Sequence, residues 1–320
     1  MVTTRAAVLV EPGRLVLEER TLEPAEDEVI VKTHLMGICG SDKTFYRGEF
    51  PEGVTLPFYL GHEAGGTVVE VGSKVREVKP GDKVMCFGWY NTFADYFKAP
   101  VQALQPVPEG LGMDLASLGE PIACAMYSGM NCGVQLGDLV VVYGAGFAGQ
   151  IIAQVVKKKG AGKVVVVDVV DGKLDLARRI GADVTINAKK EDPVEKILEL
   201  SSGVGADLVV EAAGTEEAMN QATAVLRRNG TLAFYSWITQ PVTLQMGRWH
   251  DDGFNLVNTC LVHHTVQERY VWTPQVLRPV AQGLINIKSL LSHEFRLEEI
   301  EQAFERADQD EAAVKIVLRP

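Results

Sequence analysis

With 320 residues, 47% hydrophobic and 23% charged, the chain is long enough for two cores and has the balance of a globular α/β protein. A formal net charge of −11 denies it the basic face that a nucleic acid or an anionic membrane needs from its partner. Met1-Val2-Thr3-Thr4-Arg5 leads into an apolar run with no signal-peptide pattern, and the most apolar run, near Val164 to Val170, is broken by Asp168 well short of a membrane span.

In chain order, the first third reads as short strands cut by turns. The strands are Ala6–Val10, Glu28–Thr33, Gly66–Val71 and Lys83–Cys86; the turns are Glu11-Pro12-Gly13 and Lys79-Pro80-Gly81-Asp82. Its β-branched content predicts an all-β, barrel-like domain. Leu115–Gly133 has helical apolar spacing interrupted at Pro121. From Leu139 the pattern alternates. Strands Leu139–Tyr143, Lys163–Asp168, Leu208–Glu211 and Thr231–Tyr235 are separated by helices Phe147–Lys159, Gly172–Ile180 and Glu216–Leu226. Such alternation predicts a parallel, doubly wound sheet. In the tail, Thr273–Gly283 and Leu297–Ala307 read as helices and Val314–Leu318 as a closing strand.

The turn Gly144-Ala145-Gly146-Phe147-Ala148-Gly149 follows the Leu139 strand and opens a helix, and Asp168 stands 19 residues past Gly149 at the end of the next strand. A dinucleotide needs each part. Gly144 permits the tight turn, Gly146 lets the backbone approach a pyrophosphate, and Gly149 lets helix and strand pack closely. The helix N-terminus, at Phe147 and Ala148, offers free N–H groups to phosphate. Asp168 can accept from both ribose hydroxyls and repels a 2′-phosphate, which favours NAD over NADP; Lys173 is a further candidate for the ribose or a solvated helix residue.

A second constellation lies upstream: Cys39 in Gly37-Ile38-Cys39-Gly40-Ser41-Asp42, then Gly61-His62-Glu63, then Gly119-Glu120-Pro121. A catalytic zinc takes three protein ligands and keeps one open position, and a thiolate, an imidazole and carboxylates suit it. Five cysteines (Cys39, Cys86, Cys124, Cys132 and Cys260) at irregular spacing do not make a disulfide framework, so a reducing, cytoplasmic setting is expected.

These motifs resemble the zinc-containing medium-chain dehydrogenase/reductase family. Gly61-His62-Glu63-Ala64-Gly65-Gly66, followed by Gly72 and Val75, matches its signature. Cys39-Gly40-Ser41-Asp42, Pro80-Gly81-Asp82 and Phe93-Ala94-Asp95-Tyr96 are similar too, and the resemblance covers essentially the whole chain. It implies a GroES-like β-rich catalytic domain from residues 1–122 and 263–320, with a Rossmann coenzyme domain inserted at 123–262 and the active site in the cleft between them. Carried over by position, Cys39, His62 and Glu63 ligate zinc, Glu120 ligates it or holds its water, and Asp42 fixes His62. The acid at Glu120, where alcohol dehydrogenases proper usually have cysteine, places the chain beside the sorbitol-, threonine- and glucose-type enzymes. The family's lobe of four cysteines for a structural zinc should fall near Met85–Phe93. Only Cys86 is there, so one zinc is expected.

The implied chemistry is metal-assisted hydride transfer between NAD and a secondary alcohol of a polyol, cyclitol or sugar. Ser41 is the expected proton acceptor, or a plain turn hydroxyl. Many members place a relay histidine where this chain has Thr44, which leaves Ser41, Glu120 and water, or Thr44 itself, to carry the proton. Phe45, Tyr46, Trp89, Tyr90, Trp249, His250, His263 and His264 are candidates for the substrate wall. Two other readings remain: a zinc-free quinone or enone reductase of the same fold, and a non-catalytic NAD-binding protein. Assembly into a homodimer or homotetramer is expected from the family, which commonly pairs the edges of its nucleotide sheets.

Overall fold

The chain divides into two units, Met1–Pro121 with Val266–Pro320, and Ile122–Thr265. The computed structural model describes every residue except Pro51, Glu52, Thr239, Val262 and His263.

The first unit opens with an antiparallel hairpin of β1 (Val2–Glu11) and β2 (Arg14–Leu22), joined by β4 (Phe58–Tyr59) in a three-stranded sheet. Its second sheet is built from β3 (Glu28–Gly37), β5 (Glu63–Val71), β6 (Lys83–Cys86), β7 (Tyr96–Pro100) and β8 (Leu104–Pro106). The chain's end adds β15 (Leu291–Arg296) and β16 (Lys315–Arg319), giving the order β15-β16-β3-β5-β6-β8 with β7 also on β3. Val29, Ile30 and Val31 of β3 have no exposed surface, as expected of a strand with neighbours on both sides and cover on both faces. Leu9, Val31, Phe93, Phe97 and Phe304 belong to one core.

Helices α1 (Gly40–Tyr46), α2 (Met113–Ala116), α9 (Val266–Ala281) and α10 (Ile300–Gln309) belong to this unit. Helix α10 buries Ile300, Ala303, Phe304 and Ala307, one face at helical spacing. A 3₁₀ turn at Leu297–Glu299 precedes it, so the helix starts later than the apolar pattern does. Helix α9 starts earlier than expected, because its first turn, Val266-Gln267-Glu268-Arg269, carries a single apolar residue and shows no period. The break expected at Pro121 falls instead between α2 and α3 (Gly119–Asn131). Pro121 is the third residue of α3, where its missing N–H has no intrahelical bond to lose.

The second unit alternates β9 (Leu139–Tyr143), α4 (Phe147–Lys158), β10 (Lys163–Asp168), α5 (Asp171–Arg179), β11 (Val184–Asn187), α6 (Pro193–Leu200), β12 (Ala206–Glu211), α7 (Glu216–Val225), β13 (Leu226–Phe234), α8 (Trp249–Asp252) and β14 (Asn255–Asn258). All its strand pairs are parallel, in the order β11-β10-β9-β12-β13-β14. Val140–Val142 and Val164–Val166 are wholly buried, the mark of a sheet covered on both faces. The order reverses between β9 and β12, so the turn after β9 opens at the crevice where such sheets hold nucleotides. Among the described residues, no helix is long and apolar enough to cross a membrane.

Candidate metal and nucleotide sites

Cys39 is the N-cap of α1, and its backbone N–H donates to Asp42 Oδ2 at 2.9 Å. Its position is therefore fixed by the helix that starts after it. His62 follows Gly61, whose φ of +102° and whose approach to the Phe93 backbone nitrogen (2.8 Å from an added Cβ) no other residue accepts without strain. Glu63 begins β5 directly across from Gly37. One donor atom each from Cys39, His62 and Glu63 lies within 4.8 Å of the others, with His62 and Glu63 buried.

Asp42, also fully buried, faces His62: Oδ1 and Nδ1 are 3.6 Å apart. That is close for an ion pair and long for a hydrogen bond, and among the described residues neither atom has a hydrogen-bond partner. With Nδ1 turned to Asp42, the Nε2 edge remains for other use. Burial pulls the His62 imidazole down, yet the Asp42 carboxylate and the Cys39 sulfur outweigh it and hold it well above its ordinary value. A buried thiol, imidazole and carboxylate in mutual reach, with orphaned polar atoms behind them, fit a divalent soft-to-borderline metal.

Glu120, the second residue of α3, is half-buried and lies outside that group of mutually close donors. It sits near Cys86, whose thiol is pushed far up by burial and further by the Glu120 charge, leaving an inert core cysteine. Ser41 is half-buried in the first turn of α1, and Thr44 Oγ1 donates to Gly40 O at 3.2 Å. Of the aromatics, Trp89 lies over His62 at 4.1 Å between ring centroids and stacks on Phe45 at 5.1 Å. Tyr46 turns away: its hydroxyl donates to Gly13 O at 2.9 Å and its ring packs on Phe304. Tyr90 is half-buried against the core.

The side chain that sequence reasoning missed is Lys315. Its Nζ donates to Glu63 Oε1 at 2.9 Å, Glu63 Oε2 at 2.8 Å and Ile38 O at 3.1 Å. The signal was present: one lysine inside the apolar run Val314–Leu318.

In the second unit, Gly144 has φ +96° and a Cβ there would meet Ala212 O at 2.7 Å, while a Cβ on Gly149 would strike Gly144 O at 1.8 Å. A Cβ on Gly146 would meet nothing within 4 Å. That open space lies at the N-cap of α4, where no side chain caps the helix and the N–H groups of its first turn point outward. Asp168 Oδ2 accepts from Ala145 N at 2.6 Å and Oδ1 from Val169 N and Val170 N at 2.7 and 3.0 Å. The buried Gln150 Nε2 donates to Ala145 O at 3.0 Å. Phe147 and Ala148 open α4, and Lys173 is half-buried in the first turn of α5. A clear cradle over Gly146, uncapped N–H groups and a carboxylate at the strand end fit a dinucleotide. Trp249 and the exposed His250 are in α8, and His264 hydrogen-bonds the Tyr127 hydroxyl at 2.7 Å. His263 lies outside the described residues.

The alcohol dehydrogenase GroES-like domain profile matches residues 25–109, and the zinc-binding dehydrogenase profile matches residues 148–274. A sorbitol dehydrogenase of Gallus gallus is 31% identical over 98% of this chain and 96% of its own. The chain belongs to the zinc-containing medium-chain dehydrogenase/reductase family. An uncharacterized zinc-type alcohol dehydrogenase-like protein of Escherichia coli (strain K12) is 30% identical to this family member, over 94% of each chain. The crystal structure of an Escherichia coli oxidoreductase/dehydrogenase of unknown specificity superposes with a TM-score of 0.87 at 26% identity over 99% of each chain. This medium-chain dehydrogenase is thus an oxidoreductase of the alcohol and polyol group, with a GroES-like unit and a Rossmann unit.

Proposed function

We propose that the chain is a zinc- and NAD-dependent dehydrogenase that oxidises a secondary alcohol of a polyol, cyclitol or sugar, or reduces the matching ketone. The observation that carries this reading is the convergence of Cys39, His62 and Glu63 within 4.8 Å. These three would hold one catalytic zinc, which supplies a Lewis acid that lowers the pKa of an alcohol hydroxyl. NAD held at the Gly144–Gly149 turn would supply the hydride acceptor.

The chain's own residues do the rest. Asp42 orients the His62 ring through its Nδ1 edge. Ser41 takes up the hydroxyl proton, and Glu120 holds the water that carries it on, or reaches the metal as a further ligand. Trp89 and Phe45 form an apolar wall that excludes water beside His62. Gly144, Gly146, Gly149, Phe147 and Ala148 cradle the pyrophosphate. Asp168 receives the ribose hydroxyls on acceptor capacity left beyond its backbone bonds, with Lys173 nearby in α5. Its charge disfavours a 2′-phosphate, which supports NAD over NADP.

Support for a polyol or sugar comes from Glu120-Pro121 and from the 31% identity to a sorbitol dehydrogenase. A reducing, cytoplasmic setting suits five free cysteines. The outer strand β14 of the nucleotide sheet, with Leu256 46% exposed, supports pairing with a second copy.

The test is elemental analysis together with an NAD-reduction screen over polyols, cyclitols, aldoses and simple alcohols, before and after chelation. The expected result is about one zinc per chain and a chelator-sensitive rate on a polyhydroxylated substrate. Absence of tightly bound metal, or a rate indifferent to chelation, overturns the proposal.

A further inference from the structure

We propose that Lys315 is a positioning residue of the metal site, holding Glu63 and the peptide that precedes Cys39 in the arrangement a divalent cation needs. The inference rests on the reading of Cys39, His62 and Glu63 as metal ligands.

Three observations carry it. The first is geometry. The Lys315 ammonium divides its hydrogen bonds between both oxygens of Glu63, at 2.9 and 2.8 Å, and the Ile38 carbonyl, at 3.1 Å. One cation therefore ties two of the three donor residues together, one directly and one through the adjoining peptide. The Ile38 N–H is held from the same strand, donating to Ile316 O at 3.0 Å. Ile38 is thus gripped at both its N–H and its C=O by β16.

The second observation is burial. The side chains of Lys315 and Glu63 are 5% and 0% exposed. Lysine is seldom buried to this degree without a specific partner, because desolvating an ammonium is costly. Here the partners are the Glu63 carboxylate and the carbonyl of Ile38, the residue before Cys39.

The third is charge. The Cys39 side chain stands beside the buried carboxylates of Asp42 and Glu63, so three groups that bind a metal as anions or pair with one share one region. One ammonium and one divalent cation balance them. Without the ammonium, Glu63 is a buried carboxylate that has lost its cationic partner, and nothing else among the described residues holds both its oxygens where the cluster needs them. A carboxylate that swings away is a donor lost. The room for the required pose comes from Gly37, where a Cβ would lie 2.2 Å from Glu63 Oε2. Glycine opens one side of the carboxylate and lysine closes the other.

The test compares the full-length protein with Lys315→Met, Lys315→Gln and Lys315→Arg. Zinc affinity is measured by competition with a chromophoric chelator, and the visible absorption of the cobalt-substituted protein reports ligand geometry. ADP-ribose binding serves as a folding control in the other unit. Lys315→Met is expected to weaken zinc by about 10-fold to 100-fold and alter the cobalt bands, the usual cost of losing a group that orients a ligand. Lys315→Arg should restore both in large part. Should Lys315→Met fail to fold, the decision passes to Lys315→Gln, which is one atom shorter, keeps a polar N–H donor and lacks the charge. Combining Glu63→Gln with Lys315→Gln should cost little more than Glu63→Gln alone, since the lysine acts through that carboxylate. Unchanged zinc affinity and cobalt bands in Lys315→Gln overturn the inference. A wild-type protein that binds no zinc overturns the metal reading itself, a separate outcome.

Discussion

Gly37 and Glu63 face each other across the β3–β5 pair, and the 2.2 Å between an added Cβ and Glu63 Oε2 is far inside van der Waals contact. Gly37→Ala therefore forces the carboxylate off its place or pries the strands apart. A cost of about 1–3 kcal/mol in unfolding free energy is expected, as for other overpacked core sites, with loss of bound zinc on dialysis. Urea titration and metal analysis on one sample check both; an alanine variant that keeps its zinc would show that the Glu63 pose is dispensable. Asp168→Asn is the corresponding change in the nucleotide site. It preserves shape but removes the charge proposed to meet the ribose. NAD should bind about 10-fold more weakly, with the preference over NADP reduced or reversed, since a hydrogen bond to a charged group contributes about 1.5–3 kcal/mol. Titrating both nucleotides against the variant measures it. At this scale Cys39 and His62 were legible as candidate donors because both sit in glycine-rich turns followed by acidic residues, an odd setting for core residues. The partners of Lys315 and Gly37 were not, although a lysine inside an apolar run was there to be seen. Their roles arise from the pairing of β16 with β3 and of β3 with β5, which joins residues 252 positions apart.

Elements differ in how plainly they announce themselves. Lys83–Cys86, Leu139–Tyr143 and Lys163–Asp168 form strands at the ranges expected, because their runs of valine and other apolar residues end at glycine, proline or charge. Strand β2 escaped, since the exposed charges of Glu18 and Glu19 interrupt its apolar side. Four-residue β11 is too short to show alternation. Helix α6 carried a readable start, Asp192 before Pro193, whose carboxylate accepts from Val194 N and Glu195 N at 2.8 and 3.3 Å. What no pattern exposes is how elements are tied. Arg5 in β1 donates through Nε and Nη2 to the two oxygens of Asp95, at 2.7 and 2.8 Å, and the Asp95 N–H donates to Arg5 O at 3.1 Å. The Arg5 hydrogen bond, against the opposing effect of burial, holds the Asp95 carboxyl below its ordinary range. A carboxyl depressed on folding adds stability above its unfolded value, about 3.9, and loses it as pH falls through the folded value. With Arg5 38% exposed, screening limits the pair to about 1 kcal/mol. Asp95→Asn should lower the urea midpoint at neutral pH and flatten the acid limb of the stability curve below about pH 4. Equal midpoints for variant and parent at pH 7 would rule the tie out.

At the scale of the whole molecule, one unit is assembled from both ends of the chain and the other from a continuous middle. The proposed metal site inherits that discontinuity: Cys39 and His62 come from the first part, and Lys315 reaches Glu63 from the last strand. The dinucleotide cradle is local, lying between Gly144 and Val170. Ligand removal should therefore leave different signatures in amide exchange. A ligand at about 100 times its Kd stabilises the bound state by about 2.7 kcal/mol, enough to slow local opening roughly 100-fold. Chelating the zinc is expected to speed exchange at 38–42, at 61–63 and at 315–318 together, although those segments are far apart in sequence. ADP-ribose, which lacks the nicotinamide and so reports binding without chemistry, should give its largest slowing at 144–150 and 168–170. If chelation loosens 38–42 and 61–63 while 315–318 keeps its protection, the last strand is a scaffold and not part of the metal site. If all three loosen in concert, the metal's stabilisation reaches β16, which supplies no donor of its own to the cluster, through the Glu63–Lys315 bridge and the hydrogen bonds of β16 to Ile38.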